Sequence, residues 1–266
     1  MPLAVCATPI GNLDDVTLRV LDELRSADVV LCEDTRHTRV LLDRHGISAR
    51  LLSYHEHNEA KRTAEVLPRL SAGERVALVS DAGLPGISDP GARLVAAALG
   101  AGVPVTVLPG ASAVDTALVA SGFAAERYQF VGFLPRGGRA LQSLWAELAE
   151  WPYPVVAFES PRRLPATLRS LGEAQPKREI AVCRELTKRF EEVVRGTAAE
   201  VAARFGEPPK GEITLVLGPG AERADDEGAL EAVAELVAAG MPRRRAADIV
   251  ARLTGASRND LYRRTL

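Results

Sequence analysis

From residue 3 to residue 108, short β-branched apolar runs alternate with stretches whose apolar side chains recur every three or four positions. That pattern predicts a parallel sheet with helices on both faces. The runs Leu3–Thr8, Val29–Cys32, Arg50–Ser53, Arg75–Ser80 and Val105–Leu108 read as strands. Helices are expected around Leu18, Leu21 and Leu24, at Val40–Leu42 ending at Gly46, around Val66, Leu67 and Leu70, and from Leu94 to Leu99. Asp89 followed by Pro90 reads as the N-cap and first-turn proline of the last of these. Past Ser112, whose spacing to Asp115 suits a capping box, the pattern becomes mixed. Strands are expected at Tyr128–Gly132, Val155–Phe158, Glu179–Arg184, Val193–Gly196 and Ile213–Leu217, with helices near Leu141–Ala149, Leu164–Leu171 and Ala198–Phe205. The Arg184–Val193 connection is too short for a covering helix, so those two strands should run antiparallel. Gly218 to Gly220 and the charged run through Glu227 read as a linker. Three helical patterns follow at 229–239, 243–253 and 257–264, separated by Gly240 and Gly255. The expected fold class is α/β: an N-terminal domain at 1–111 with a parallel sheet, a C-terminal mixed domain at 112–220, and a small helical tail at 226–266.

Composition narrows the function. Of 266 residues 47% are apolar, which excludes bulk disorder, and 33 basic against 35 acidic side chains leave a net charge of -2. A wholly basic nucleic-acid coat is excluded, so any nucleic-acid contact is local. The tail is such a place: residues 241–266 hold seven arginines against Asp248 and Asp260. Cys6, Cys32 and Cys183 are odd in number and set in apolar runs, which fits a reducing compartment and inert packing. The richest apolar stretch, Leu94 to Val107, is broken by Gly100, Gly102 and Pro104, so no membrane span is expected. With no basic leader at the N-terminus, the expected compartment is the cytoplasm.

Ligands of a parallel sheet bind beyond the carboxyl ends of its strands. Every expected strand of the first domain is followed there by a polar loop: Thr8–Asn12, Glu33–His37, Tyr54–Glu59, Asp81–Gly91 and Pro109–Ser112. Five parallel strands bring the five loops to one rim. The fourth holds three glycines and two prolines after Asp81, a composition that fixes backbone groups close to a ligand. It contains no phosphate-cradling lysine, and no G-x-G-x-x-G follows the first strand, so the backbone suits a ligand without phosphate.

The segments ATPIGNLDDVTLR (7–19), CEDTRHT (32–38), SYHEHNE (53–59), VSDAGLPGISDPG (79–91), LPGASA (108–113), GFLPR (132–136), FESPRR (158–163), RELTK (184–188) and GEITLVLG (211–218) occur in order along the chain. With GASRNDLYRRTL at the end, this series resembles the bacterial small-subunit ribosomal RNA cytidine 2′-O-methyltransferases of the tetrapyrrole-methylase superfamily. The resemblance implies a two-domain tetrapyrrole-methylase-like fold, S-adenosylmethionine held between the domains, a homodimer, and as substrate a cytidine of 16S ribosomal RNA on the small ribosomal subunit, expected at position 1402. It maps cofactor contacts onto Pro9, Gly11, Asp81, Ala82, Gly83, Ile87, Ser112 and Ala113, and in the second domain onto Phe158, Glu159, Leu186, Gly211 and Ile213. Asp81-Ala82-Gly83 stands where many tetrapyrrole methylases have Gly-Asp-Pro, which argues against a porphyrinoid substrate.

Methyl transfer to a ribose hydroxyl asks the protein for alignment and a proton acceptor. Asp34, Glu33, His55 and Glu185 are the candidates, although Asp34 could equally cap the helix after it. The His55/His57 pair lacks a third ligand, so no metal is expected. Arg136 and Arg139 around Gly137–Gly138, Arg162 and Arg163 after a Ser160-Pro161 helix start, and Arg243, Arg244, Arg245 and Arg258 in the tail, read as helix-turn-helix-like, are the candidate RNA contacts. Two other readings remain: a methylase of the same fold acting on a tetrapyrrole or a protein side chain, and a non-catalytic RNA-binding assembly factor.

Overall fold

The computed structural model describes residues 2–220, 224–254 and 256–265. Its first unit alternates strand and helix: β1 (Leu3–Cys6), α1 (Leu18–Ser26), β2 (Val29–Cys32), α2 (Thr35–Arg44), β3 (Leu51–Ser53), α3 (Glu59–Ser71), β4 (Val76–Leu78), α4 (Ala92–Gly100) and β5 (Val105–Leu108). All five strands are parallel, in the order β3-β2-β4-β1-β5. Alternate residues serve the two faces. Val5, Leu31 and Leu78 pack with Val66 and Leu70 of α3 and Leu94 of α4, while Ala4, Val30 and Ala77 pack with Val20, Leu21 and Leu24 of α1 and Leu42 of α2. Burial on both faces is why β1, β2 and β4 are continuously apolar rather than alternating.

Strands β2 and β5 keep the expected bounds, whereas β1, β3 and β4 are shorter than their runs. Beyond β1, Thr8 leaves the ladder and bridges Gly83 in both directions, Thr8 N–H to Gly83 O at 2.8 Å and Gly83 N–H to Thr8 O at 3.1 Å. The first and fourth loops are thereby tied together. Asp89 does not cap α4: the N-cap is Gly91, at φ +145°, and its N–H donates to Glu59 Oε1 at 3.1 Å.

The second unit comprises α5 (Ala113–Ser121), β6 (Gln129–Phe133), α6 (Gly138–Leu148), β7 (Val155–Glu159), α7 (Leu164–Ala174), β8 (Glu179–Arg184), β9 (Glu192–Thr197), α8 (Ala198–Arg204) and β10 (Ile213–Leu217). Its sheet runs β6-β7-β10-β8-β9, with β6 parallel to β7 and the other pairs antiparallel, β8 with β9 included. Trp145, Leu168 and Val201 of the three later helices cover one face. The other is covered by Val114, Ala117 and Leu118 of α5, joined by Ile10 from the first unit. So α5 follows β5 in sequence but packs on the second sheet. Ser112 caps it, accepting the Asp115 N–H at 3.3 Å, while the Asp115 carboxylate accepts from the Tyr128 hydroxyl at 2.9 Å instead of closing the box. Ser160 and Pro161 do not open α7. They form the turn before it, and Pro165 takes the first-turn position.

The tail is α9 (Ala224–Ala238), α10 (Arg243–Thr254) and α11 (Arg258–Arg264), packed around their own core of Ala229, Val233, Ala246, Val250 and Leu261. Helix α9 begins inside the charged run expected to be linker; the rest of that run, residues 221–223, and the separator Gly255 lie outside the described residues. Among the described residues no helix is long and apolar enough to cross a membrane.

Candidate active site

A cavity of about 640 Å³ separates the carboxyl rim of the first sheet from the second. Ile10 after β1, Glu33 after β2, the Asp81–Leu84 and Ile87–Asp89 segments after β4, and Pro109–Asp115 form one wall; Phe133, Phe158–Pro161, Cys183, Leu186 and Gly211–Thr214 form the other. Four of the five loops therefore converge, and the loop after β3 does not reach the wall. It braces from behind: the Glu59 carboxylate accepts from the Tyr54 hydroxyl at 3.2 Å and the Gly91 N–H at 3.1 Å, fixing the end of the fourth loop.

Among the described residues the lining carries six carboxylates, Glu33, Asp81, Asp89, Asp115, Glu159 and Glu212, and no lysine, arginine or histidine. Three are neutralised or bound elsewhere. Glu159 is buried and accepts from the Ser160 N–H at 2.7 Å and the Thr167 hydroxyl, with Arg163 at 3.3 Å. Glu212 pairs with Lys188 at 2.9 Å, and Asp115 holds Tyr128. Glu33, Asp81 and Asp89 remain as a group of like charge. Burial and then the Asp81 charge push the Glu33 carboxyl up, with His55 acting in the opposite sense. Burial, Glu33 and Asp81 together raise Asp89 from 3.8 to about 6. No group of three or more His, Cys, Asp or Glu side chains among the described residues is arranged to hold a metal ion.

The Asp89 shift has a consequence for stability. Its folded value lies above the unfolded one, so as pH rises the unfolded chain loses this proton first. The contribution to stability falls between pH 3.8 and about 6, and above that window the ionised group is a net cost. Asp89→Asn should therefore raise the melting temperature at pH 8, by a stabilisation on the order of 2 kcal/mol, and give no gain below pH 4. Melting curves of both proteins across pH check this; an equal gain at all pH values contradicts it.

Of the residues expected to hold a cofactor, Asp81, Ala82, Gly83, Ile87, Ser112, Ala113, Phe158, Glu159, Leu186, Gly211 and Ile213 line the cavity. Pro9 and Gly11 do not; they line a smaller neighbouring space of about 90 Å³. A Cβ on Gly11 would lie 2.5 Å from Lys188 Cγ and 2.7 Å from Leu186 O, so this glycine permits close contact between the two units. Gly83 needs its lack of side chain for φ +78°, not for space: a Cβ there would meet nothing nearer than Ala111 O at 3.7 Å. Leu186 is presented to the cavity by two non-glycine residues in left-handed conformations, Glu185 at φ +53° and Thr187 at φ +63°. The Asn12 N–H donates to Thr187 Oγ1 at 2.9 Å and holds that turn.

Of the four expected catalytic side chains, only Glu33 lines the cavity. Asp34 is the N-cap of α2, accepting the Arg36 N–H at 2.8 Å. The Arg36 guanidinium also grips its carboxylate, whose pKa is held well below the usual range. Its contribution to the cavity is its backbone N–H, which donates to Asp81 Oδ1 at 3.1 Å. His55 lies behind Glu33, its Nε2 3.1 Å from Asn58 Nδ2 and its Nδ1 buried without a hydrogen-bond partner. Glu185 is partly buried, but the Glu212 N–H and the Lys188 ammonium, each at 2.9 Å, hold its carboxyl below the usual range. It is a brace for the second wall.

Among the expected RNA contacts, Arg136, Arg139, Arg162, Arg244 and Arg245 are exposed, and Arg243 is half-buried. Arg163 is an internal tie instead, donating to Leu134 O at 3.1 Å and Pro135 O at 2.6 Å beside Glu159. Arg258 is exposed but pairs with Asp248. Two lining residues are not evident from the sequence pattern. Asp89 has the spacing of a cap, although the glycine two positions on is the residue suited to end such a turn. Phe133 follows Gly132, and a glycine inside a strand pattern marks a bulge. The three cysteines are buried, with Cys6 pushed up to about 12 and Cys183 to about 11 by desolvation, so neither is a nucleophile at neutral pH.

Residues 2–202 match the Tetrapyrrole (Corrin/Porphyrin) Methylases family, and residues 224–266 match the RsmI C-terminal HTH domain. Ribosomal RNA small subunit methyltransferase I of Mesorhizobium japonicum is 46% identical over 268 residues, covering 99% of this chain and 91% of that protein. The Thermotoga maritima protein of the same name is 47% identical over 219 residues, 81% of this chain and 97% of its own length. Among solved structures, uroporphyrin-III C-methyl transferase from Thermus thermophilus, complexed with S-adenosylhomocysteine, superposes with a TM-score of 0.58 at 22% identity, over 81% of this chain and 96% of that one. A conserved hypothetical protein from Aeropyrum pernix K1 gives 0.64 at 18% identity, over 98% and 93%. Those two likenesses are of fold; the sequence matches run nearly end to end and include the tail. The chain belongs to the ribosomal RNA small subunit methyltransferase I family of the tetrapyrrole methylases.

Proposed function

We propose that this chain transfers the methyl group of S-adenosylmethionine to the ribose 2′-oxygen of a cytidine in 16S ribosomal RNA, presented on the small ribosomal subunit. The family and the names of relatives at 46% and 47% identity support the coarser part, an rRNA methyltransferase. The solved fold relative that was complexed with S-adenosylhomocysteine supports the donor. The observation that carries the reading is the cavity's sign: it is roomy enough for a nucleoside-sized ligand and lined by carboxylates without a single basic side chain. Such a wall suits a cationic ligand and repels a phosphate-bearing one. It also disfavours a tetrapyrrole, whose carboxylates would face Glu33, Asp81 and Asp89 with no lysine or arginine among the described lining residues.

When bound, S-adenosylmethionine supplies a methyl group already activated by a positive sulfonium. Around it the Ala82–Leu84 backbone, Ser112 and Ala113 would hold one side, and Leu186 and Gly211–Ile213 the other. Glu33 takes the proton from the attacking hydroxyl at its carboxylate in this reading, which is supported by the burial and the Asp81 charge that make it a better proton acceptor than an ordinary glutamate. Asp34, through its backbone N–H, orients Asp81. A homodimer, which the family resemblance implies, and a cytoplasmic location, which an rRNA substrate fits, are part of the proposal. The domain boundaries at 111/112 and near 224 are supported by the packing of α5 on the second sheet and by the separate core of the tail.

The test is tritiated methyl transfer to small subunits from cells lacking this modification. Label in 16S RNA, resistant to alkaline cleavage at one cytidine, is expected. Label in protein alone, or none, refutes the assignment.

A further inference from the structure

Strand β6 pairs with β7 in register at Phe130 opposite Val156 and again at Phe133 opposite Phe158, so three steps on one strand match two on the other. The extra residue is a bulge at Val131–Gly132, with Gly132 at φ +67°. Without it, residues 130 and 133 would point to opposite faces; with it both rings turn to the cavity face. They meet Phe158 edge-on, Phe130 at 5.0 Å and Phe133 at 5.5 Å between ring centroids. Phe130 is packed beneath, whereas Phe133 is 63% exposed and still lines the cavity. Among the described residues, Phe133 and Ile87 are the large apolar side chains that both line the cavity and stand exposed. The bulge glycine lies against the fourth loop, its Cβ position 3.8 Å from Ser88 Oγ. Three and six residues beyond Phe133 come the exposed Arg136 and Arg139.

An aromatic ring braced on one side by Phe158, exposed at the mouth of an acid-lined cavity and followed by exposed guanidinium groups, is the arrangement that receives an unstacked base with its backbone phosphates. We propose that Phe133 is the stacking surface for the base of the target nucleotide, with Arg136 and Arg139 on the adjoining phosphates. This rests on the methyl-transfer reading above. The base lies on the ring outside the carboxylate wall, which places its ribose at the cavity mouth.

The test uses the full-length protein with unmodified small subunits and compares Phe133→Ala, Phe133→Leu and Phe133→Trp. An exposed ring can be cut back without unfolding the chain, and melting temperatures verify this. The alanine and leucine variants should lose about ten- to hundredfold in kcat/KM for subunits. Tryptophan should restore most of it, and calorimetry should show donor affinity changed by less than about twofold. A leucine variant as active as the native protein overturns the stacking role, as does a parallel loss of donor affinity, which would put the ring in the donor pocket. Failure of the native protein to methylate RNA would instead refute the reading on which the inference rests.

Discussion

Glu33→Gln is expected to slow methyl transfer about 10²- to 10⁴-fold, far more than the loss of one cavity charge weakens donor binding. The amide keeps the shape of the carboxylate at the end of β2 but cannot take a proton. Single-turnover transfer to unmodified subunits reads the chemical step, and calorimetry reads donor binding. The pH profile adds a signature that a packing defect would not produce. Glu33 acts as a carboxylate and its pKa is raised by burial and Asp81. The native rate should therefore be low in acid, where the group is protonated, and rise as pH passes its folded value. That limb should be missing in the glutamine variant. Because Asp89, raised to about 6, feels the Glu33 charge, the limb belongs to the carboxylate group as a whole and not to one side chain. A glutamine variant within threefold of native activity would remove Glu33 from the chemistry.

The convergence of loops on one rim is legible from the sequence because it needs only parallel strands and their order along the chain. Which loops face the ligand is not. The His55–Glu59 loop is as polar as the others, yet β3 is the edge strand opposite β5, the strand that leads into the second unit, so its loop ends up behind the Glu33 and Asp81 loops and becomes a brace. The same limit explains Asp34 and Glu185. Periodicity places a carboxylate after a strand but does not say whether its hydrogen-bond needs are met by its own backbone and neighbours. Arg36 satisfies Asp34 and the Glu212 amide satisfies Glu185, and both carboxylates are thereby held structurally. Arg163 is unavailable to RNA for a related reason: α7 starts at Leu164, later than its Ser-Pro pair suggests, which leaves the guanidinium within reach of the Leu134 and Pro135 carbonyls. Phe133 depends on one extra residue in a ladder, which reverses a side chain without altering the apolar pattern.

Deleting residues 224–266 is expected to leave donor affinity and the melting of the remaining chain nearly unchanged, and to weaken binding to small subunits by about tenfold or more near 0.2 M salt. The first half follows from packing: α9, α10 and α11 share a core of their own, and the ion pair from Arg263 to Glu126 is an exposed contact worth little. The second half follows from charge. Arg244, Arg245 and Arg252 are exposed, with no carboxylate partner among the described residues, and so are available to phosphate. Arg258 is held by Asp248. For every arginine–phosphate pairing removed, the dependence of log affinity on log salt should flatten by about 0.7 to 0.9. The deletion should lower the slope by about 2 to 3, Arg244→Ala with Arg245→Ala by about 1.5, and Arg258→Ala by clearly less. Filter binding or sedimentation across a salt series measures all three. Parallel lines for the native and deleted proteins would mean that the tail meets something other than the RNA backbone. A steep drop with Arg258→Ala alone would mean that the Asp248 pair opens on the ribosome.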